Sequence, residues 1–196
     1  MIIYGFLSYY NGGLTIPNKE LMKKFQKVLK DNSMGYIATL AQNSNVMLEA
    51  TLAGDTEKME EILEYVHNTE IPILQYNDEN SLSCIVNLIY LNARDQYRIE
   101  REDKAGKGFA DFIFYPLNDL DTAIILELKK DDTPEHAIEQ IMDRKYYTKF
   151  LTCKDGKMDC KQNVLVVGMA YDKTSGLHRC VVEKLDELLG KANDEG

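Results

Sequence analysis

The sequence predicts an α/β fold, with a mixed sheet flanked by helices behind a small hairpin-plus-helices region. Three observations carry this. From residue 77 onward the apolar pattern runs in the order helix, three strands, helix, strand. The stretch NVLVVGMAY (163–171) is nearly continuously apolar, as in a strand covered on both faces. The first third instead reads as a hairpin followed by short helices, with no cluster of convergent polar groups.

In chain order, IIYGFLSYY and LTIP flank an N-G-G turn and predict a β-hairpin over residues 1–17. Asn18 then caps a helix, KELMKKFQKVLKD, with Leu21, Met22, Phe25, Val28 and Leu29 at helical spacing. A further helical pattern occupies residues 35–53. Asp55 opens TEKMEEILEYVHN, whose Met59, Ile62, Leu63 and Val66 share one face. Asn77 and Asp78 offer caps for SLSCIVNLIYLNA, which is apolar enough to be buried.

YRIERED is a short strand, A-G-K-G a turn, GFADFIFYPL a second strand, N-D-L-D a turn and TAIILELKK a third strand. Thr133 as N-cap and Pro134 at the first helical position start a helix read through to Phe150. After NVLVVGMAY, T-S-G turns the chain into HRCVVEKL, an edge strand. The expected organisation is a docking or linker region over 1–75, an α/β domain over 76–190 and a disordered tail over 191–196.

Composition narrows the functions. With 196 residues, 44% of them hydrophobic, the chain can bury one sizeable core. No apolar run reaches the length of a membrane span, and MIIYGFL has neither the basic flank nor the cleavage site of a signal peptide. Four cysteines without a C-x-x-C pair read as reduced thiols, hence a cytoplasmic protein, and the three scattered histidines do not suggest a zinc site. A net charge of −9 argues against indiscriminate attraction to nucleic acid, although a cation in a cleft inverts the local potential.

Two predicted strands carry carboxylates where a core strand carries none. Alternation puts Glu127 and Lys129 on one face of the third strand, and Asp111 on a face with Phe109 and Ile113 of the second. Antiparallel pairing through N-D-L-D brings Asp111 near Glu127 and Lys129. Two facing carboxylates in a dry site repel each other and cost several kcal/mol, roughly, unless neutralised. A divalent cation resolves both problems, since Mg²⁺ takes one or two carboxylates plus water. Taken alone, E-x-K reads more simply as an ion pair at an exposed strand end.

Asp111 followed by Glu127-Leu128-Lys129, within helix–three strands–helix–strand, resembles the PD-(D/E)XK nuclease superfamily; Ala110 stands where the motif has proline. The wider text also resembles one bacterial group. It is carried by GGLTIPNKEL, AGDTEKMEEILEYVHNTEIPILQYNDENSLSCIVNL, GKGFADFIF and ELK. In that group the nuclease-like domain follows an N-terminal AAA-ATPase-like domain. Such a partner would lie elsewhere in a longer protein, because this chain has no G-x-x-x-x-G-K-[ST] loop.

The resemblance implies a restriction-endonuclease-like core that hydrolyses DNA. Mg²⁺, or Mn²⁺ as substitute, would be held by Asp111, Glu127, the Leu128 carbonyl and Glu79, and Lys129 would position the attacking water. It also makes Gln140, on the helix after E-L-K, a catalytic candidate. Helical spacing places Gln140, Arg144 and Tyr147 on one polar face, which with Lys107 of the G-K-G turn would contact nucleic acid. Each has a plainer reading: Glu79 as a first-turn acid, the others as solvated side chains. The competing function is a nuclease-fold module that binds nucleic acid or protein without cutting.

Overall fold

A computed structural model describes residues 8–10, 13–15, 32–70, 79–118, 121–154, 157–160 and 163–194. The chain divides into two compact units, 1–42 and 43–196. In the first, β1 (Ser8–Tyr10) and β2 (Gly13–Thr15) pair antiparallel, Tyr9 opposite Leu14, as the hairpin reading expects. The helix expected from Asn18 and the caps expected at Asn77 and Asp78 lie outside the described residues. The division falls after Gln42, and residues 43–70 belong to the same unit as the α/β domain expected over 76–190.

The second unit is built on a five-stranded sheet in the order β3-β4-β5-β8-β9. Its strands are β3 (Tyr97–Ala105), β4 (Gly108–Pro116), β5 (Ala123–Lys130), β8 (Val164–Asp172) and β9 (Leu177–Lys184). Only β5 and β8 run parallel; the other neighbours are antiparallel. A parallel pair requires a crossover. It contains helix α4 (Pro134–Arg144), a 3-10 turn (Tyr146–Phe150) and a small hairpin, β6 (Leu151–Lys154) with β7 (Lys157–Cys160), that the sequence reading did not anticipate.

Both faces are covered, which is why β5 and β8 are apolar on both sides. Ala123, Ile125, Val164 and Val166 meet Ile138 and Ile141 of α4, together with Leu185 of α5 (Leu185–Asp194). Helix α5 extends into the stretch where a disordered tail was expected. Against the opposite face lie α1 (Asn32–Ala53) through its residues 43–53, α2 (Thr56–Glu70) and α3 (Glu79–Ile89). There the Tyr90 and Phe114 rings meet edge to face at 4.9 Å, and the buried Tyr90 hydroxyl bonds Thr51 Oγ1 at 2.7 Å. The expected capping by Asp55 and Thr133 is present: Asp55 Oδ1 accepts from Lys58 N, and Thr133 Oγ1 from His136 N. No helix among the described residues is long and apolar enough to cross a membrane.

Helix α4 stops at Arg144 instead of continuing to Phe150. Lys145 takes a left-handed conformation (φ 57°) and returns its N–H to Met142 O at 3.1 Å. The exposed Arg144 carbonyl accepts the Lys107 N–H at 2.7 Å, so the β3–β4 turn satisfies the helix end. Gly106 makes this approach possible at φ +51°, since a Cβ there would lie 2.1 Å from Arg144 O.

Helix α2 is fastened to β9 by a buried imidazole pair, His67 Nδ1 to His178 Nε2 at 2.6 Å, with the Tyr171 ring against both. Burial holds both imidazoles below their ordinary value of 6.5, His178 down to about 4, where the His67 imidazole adds to the effect. The folded state therefore prefers the neutral rings. Their contribution to stability is complete above pH 6.5 and is lost as the pH falls toward 4. The loss expected from His178 alone is about 3 kcal/mol. Denaturant unfolding at about pH 7 and about pH 4 measures it. A His67→Leu/His178→Phe double variant should lose markedly less over that interval, and an equal loss would assign the acid sensitivity to other groups.

Candidate active site where β4 and β5 diverge

The β4–β5 ladder runs through Phe114↔Ile124, Ile113↔Ile125 and Phe112↔Leu126, and then stops. The next pair in the same register is Asp111 opposite Glu127. At this point side chains replace the ladder. The Asp111 N–H donates to Glu127 Oε2 at 3.3 Å, and the Leu128 N–H donates to Asp111 Oδ2 at 2.8 Å. Each carboxylate thus accepts an amide of the other strand. This partnership is what lets Glu127 be buried, at 3% exposure, inside a sheet. Both backbone groups of a strand residue face the same neighbour, so the Leu128 carbonyl looks into the gap its N–H looks into.

Helix α4 completes the cluster. Gln140 uses its amide in both directions: Oε1 accepts from Lys129 Nζ at 2.5 Å, while Nε2 donates to Glu127 Oε1 and, at 3.3 Å, to Tyr146 Oη. Lys129 Nζ lies 3.9 Å from Glu127 Oε1. The helix reaches this close because Gly168, opposite Glu127 in the β5–β8 register, has no side chain. A Cβ on it would meet Pro134 O at 2.1 Å. Burial pushes the Tyr146 phenol above its ordinary pKa; the Gln140 hydrogen bond opposes this and the Glu127 and Asp111 carboxylates reinforce it.

Asp111, Glu127, Lys129, Gln140 and the Leu128 backbone therefore come together. Glu79 heads α3, and its side chain lies outside the described residues. Lys107 and Arg144 are exposed and adjacent through the turn-to-helix bond. Tyr147 is a correction. It is 8% exposed and packed among Ile138, Ile141 and Phe150, because the helix ends at Arg144 and the polar face expected from Gln140 to Tyr147 does not form. The same break turns Tyr146 toward Gln140, a residue that sequence reasoning missed. Helical spacing favoured its neighbour, and nothing in R-K-Y-Y signals a stop.

Two carboxylates and a main-chain carbonyl are hard oxygen donors, the set that Mg²⁺ or Mn²⁺ accepts. A carboxylate has roughly four lone-pair positions, so accepting a backbone amide does not by itself exclude a cation. Among the described residues no three His, Cys, Asp or Glu side chains converge to hold a metal, as a zinc site would require.

A mixed five-stranded sheet flanked by helices, with this motif at the point where two strands part, is the restriction-endonuclease-like fold. The family model of the PD-(D/E)XK nuclease superfamily matches residues 77–176, and the chain belongs to that superfamily. No curated protein and no solved structure matches the chain.

Proposed function

We propose that this chain is a divalent-cation-dependent nuclease that hydrolyses phosphodiester bonds of DNA. The observation that carries the reading is the cross-strand exchange between Asp111 and Glu127 with Lys129 beside it. Asp111, Glu127 and the Leu128 carbonyl hold Mg²⁺, with Mn²⁺ as substitute and Glu79 as a further ligand. The cation supplies a more acidic water and offsets negative charge on the phosphoryl group. Lys129, steadied by Gln140, orients the attacking water in line with phosphorus and stabilises charge in the transition state. Gln140 also fixes the Glu127 carboxylate, so a single amide sets the spacing between base-side and metal-side groups.

Substrate approaches along the β3–β4 turn and the end of α4, where exposed Lys107 and Arg144 stand together despite the net charge of −9. The chain works in the cytoplasm beside an AAA-ATPase-like domain of a longer protein. The direct test is incubation with single- and double-stranded DNA and RNA in Mg²⁺ or Mn²⁺, with and without a chelator. Divalent-dependent cleavage of DNA supports the proposal; intact substrate under every condition overturns it. Lys107→Ala/Arg144→Ala should weaken binding to all sequences alike. The slope of log affinity against log salt should become shallower by about 0.9 for each duplex phosphate that is no longer neutralised. Filter binding at several salt concentrations reads this, and an unchanged slope would place the substrate elsewhere.

A further inference from the structure

We propose that the Tyr146 hydroxyl donates a hydrogen bond to a non-bridging phosphoryl oxygen of the substrate, which makes it a further catalytic group; this rests on the nuclease reading above. Tyr146 is 3% exposed, yet among the described residues its hydroxyl has one hydrogen bond, which it accepts from Gln140 Nε2 at 3.3 Å. Its own proton has no acceptor among those residues. A buried polar group left without a partner costs about 1–3 kcal/mol, so an unspent donor here calls for an acceptor that arrives with the substrate. Gln140 is bonded in turn to Glu127 and Lys129, which fixes the phenol one side chain away from both.

The chemistry of the cluster favours a phosphoryl oxygen. Asp111 and Glu127 supply acceptors only, and the Lys129 ammonium, which gives one of its three N–H groups to Gln140, is assigned to the attacking water. A phosphodiester brings two non-bridging oxygens that only accept, so a neutral O–H is the complementary group. The raised pKa keeps that proton on the phenol at neutral pH. Gly108 borders the hydroxyl closely: a Cβ at that position would stand 3.1 Å from Tyr146 Oη. A side chain at this point would crowd the phenol.

If Tyr146 merely fills the space beside Ile138 and Ile141, phenylalanine does the same. Tyr146→Phe separates the two roles through three measurements on the full chain: kcat and KM for DNA cleavage in Mn²⁺, Mn²⁺ affinity by calorimetry, and thermal unfolding. The expected result is kcat lower by on the order of 10²-fold with KM little changed, the loss typical of one transition-state donor. Mn²⁺ affinity should match the unaltered chain, and Tm should stay within about 2 °C of it. Cleavage at the parental rate would overturn the inference and leave the nuclease reading intact. A loss of cleavage matched by a parallel loss of Mn²⁺ affinity would also overturn it, since the phenol would then act by holding the carboxylates. An unaltered chain that cuts nothing would remove both proposals together.

Discussion

Glu127→Gln is expected to abolish divalent-dependent cleavage, by at least about 10³-fold, while the fold stands. The substitution keeps the shape of a side chain that is 3% exposed and removes only its charge. Two of its contacts set the structural cost. The amide oxygen still accepts from the Asp111 N–H, but the new NH₂ faces Gln140 Nε2, donor against donor, so one hydrogen bond disappears. Removing a buried charge offsets part of that loss. Stability should therefore change by no more than about 1–2 kcal/mol. Cation binding loses one of two carboxylates, and a loss of several kcal/mol in transition-state stabilisation corresponds to the stated factor. Single-turnover cleavage in Mg²⁺ and denaturant unfolding, measured on the same preparation, separate the two effects. Cleavage within about tenfold of the parent by a well-folded variant would remove Glu127 from the chemistry.

The second large effect is expected from Gly168→Ala, on the strand beside Glu127. The added methyl would sit 2.1 Å from Pro134 O, 3.0 Å from Pro134 C and 3.1 Å from Ala137 Cβ. Two of those three atoms are backbone, and β8 lies between β5 and β9, so neither layer gives way cheaply. Overpacking of this kind costs typically about 1–3 kcal/mol, and the clash here points to about 3 kcal/mol, or a Tm lower by about 10 °C. Activity should fall as well, because pushing α4 off the sheet moves Gln140 away from Glu127 and Lys129. Gly190→Ala is the control: it lies in α5 with nothing within 4 Å of its Cβ, and should be neutral or stabilising by up to about 1 kcal/mol. Equal melting temperatures for the two variants would show that the close approach of α4 is not needed.

Much of the site was legible because it depends on local rules. Strand alternation and one short turn between two apolar runs suffice to bring Asp111 to Glu127. Thr133-Pro134 marks the start of α4 through capping chemistry that needs no tertiary context. The end of the same helix was not legible. Lys145 adopts φ 57°, a conformation usually left to glycine or asparagine, and the Lys107 N–H that satisfies Arg144 O comes from a distant turn. That tertiary contact decides which of two adjacent tyrosines faces Gln140, so spacing alone chose Tyr147. The β6–β7 hairpin did carry a signal. Asp155-Gly156 separates LTCK from KMDC, the two residues that tight hairpins favour, but strands of four residues carry little periodicity beside the longer elements that flank them.

The exchange of amide and carboxylate between Asp111 and Glu127 also explains how two carboxylates persist in a sheet core. Without a cation, the Leu128 N–H and the Asp111 N–H partner the carboxylates and keep the two strands from closing over the gap. The positions of both carboxylates are thus held by the fold itself.

The central claim is that this gap binds a hard divalent cation, and crystals soaked in Mn²⁺ test it most directly. The expected result is an anomalous peak with one oxygen each of Asp111, Glu127 and the Leu128 carbonyl at about 2 Å. A gap without that peak, with Asp111 and Glu127 still accepting the Leu128 and Asp111 amides across the strands, would contradict it.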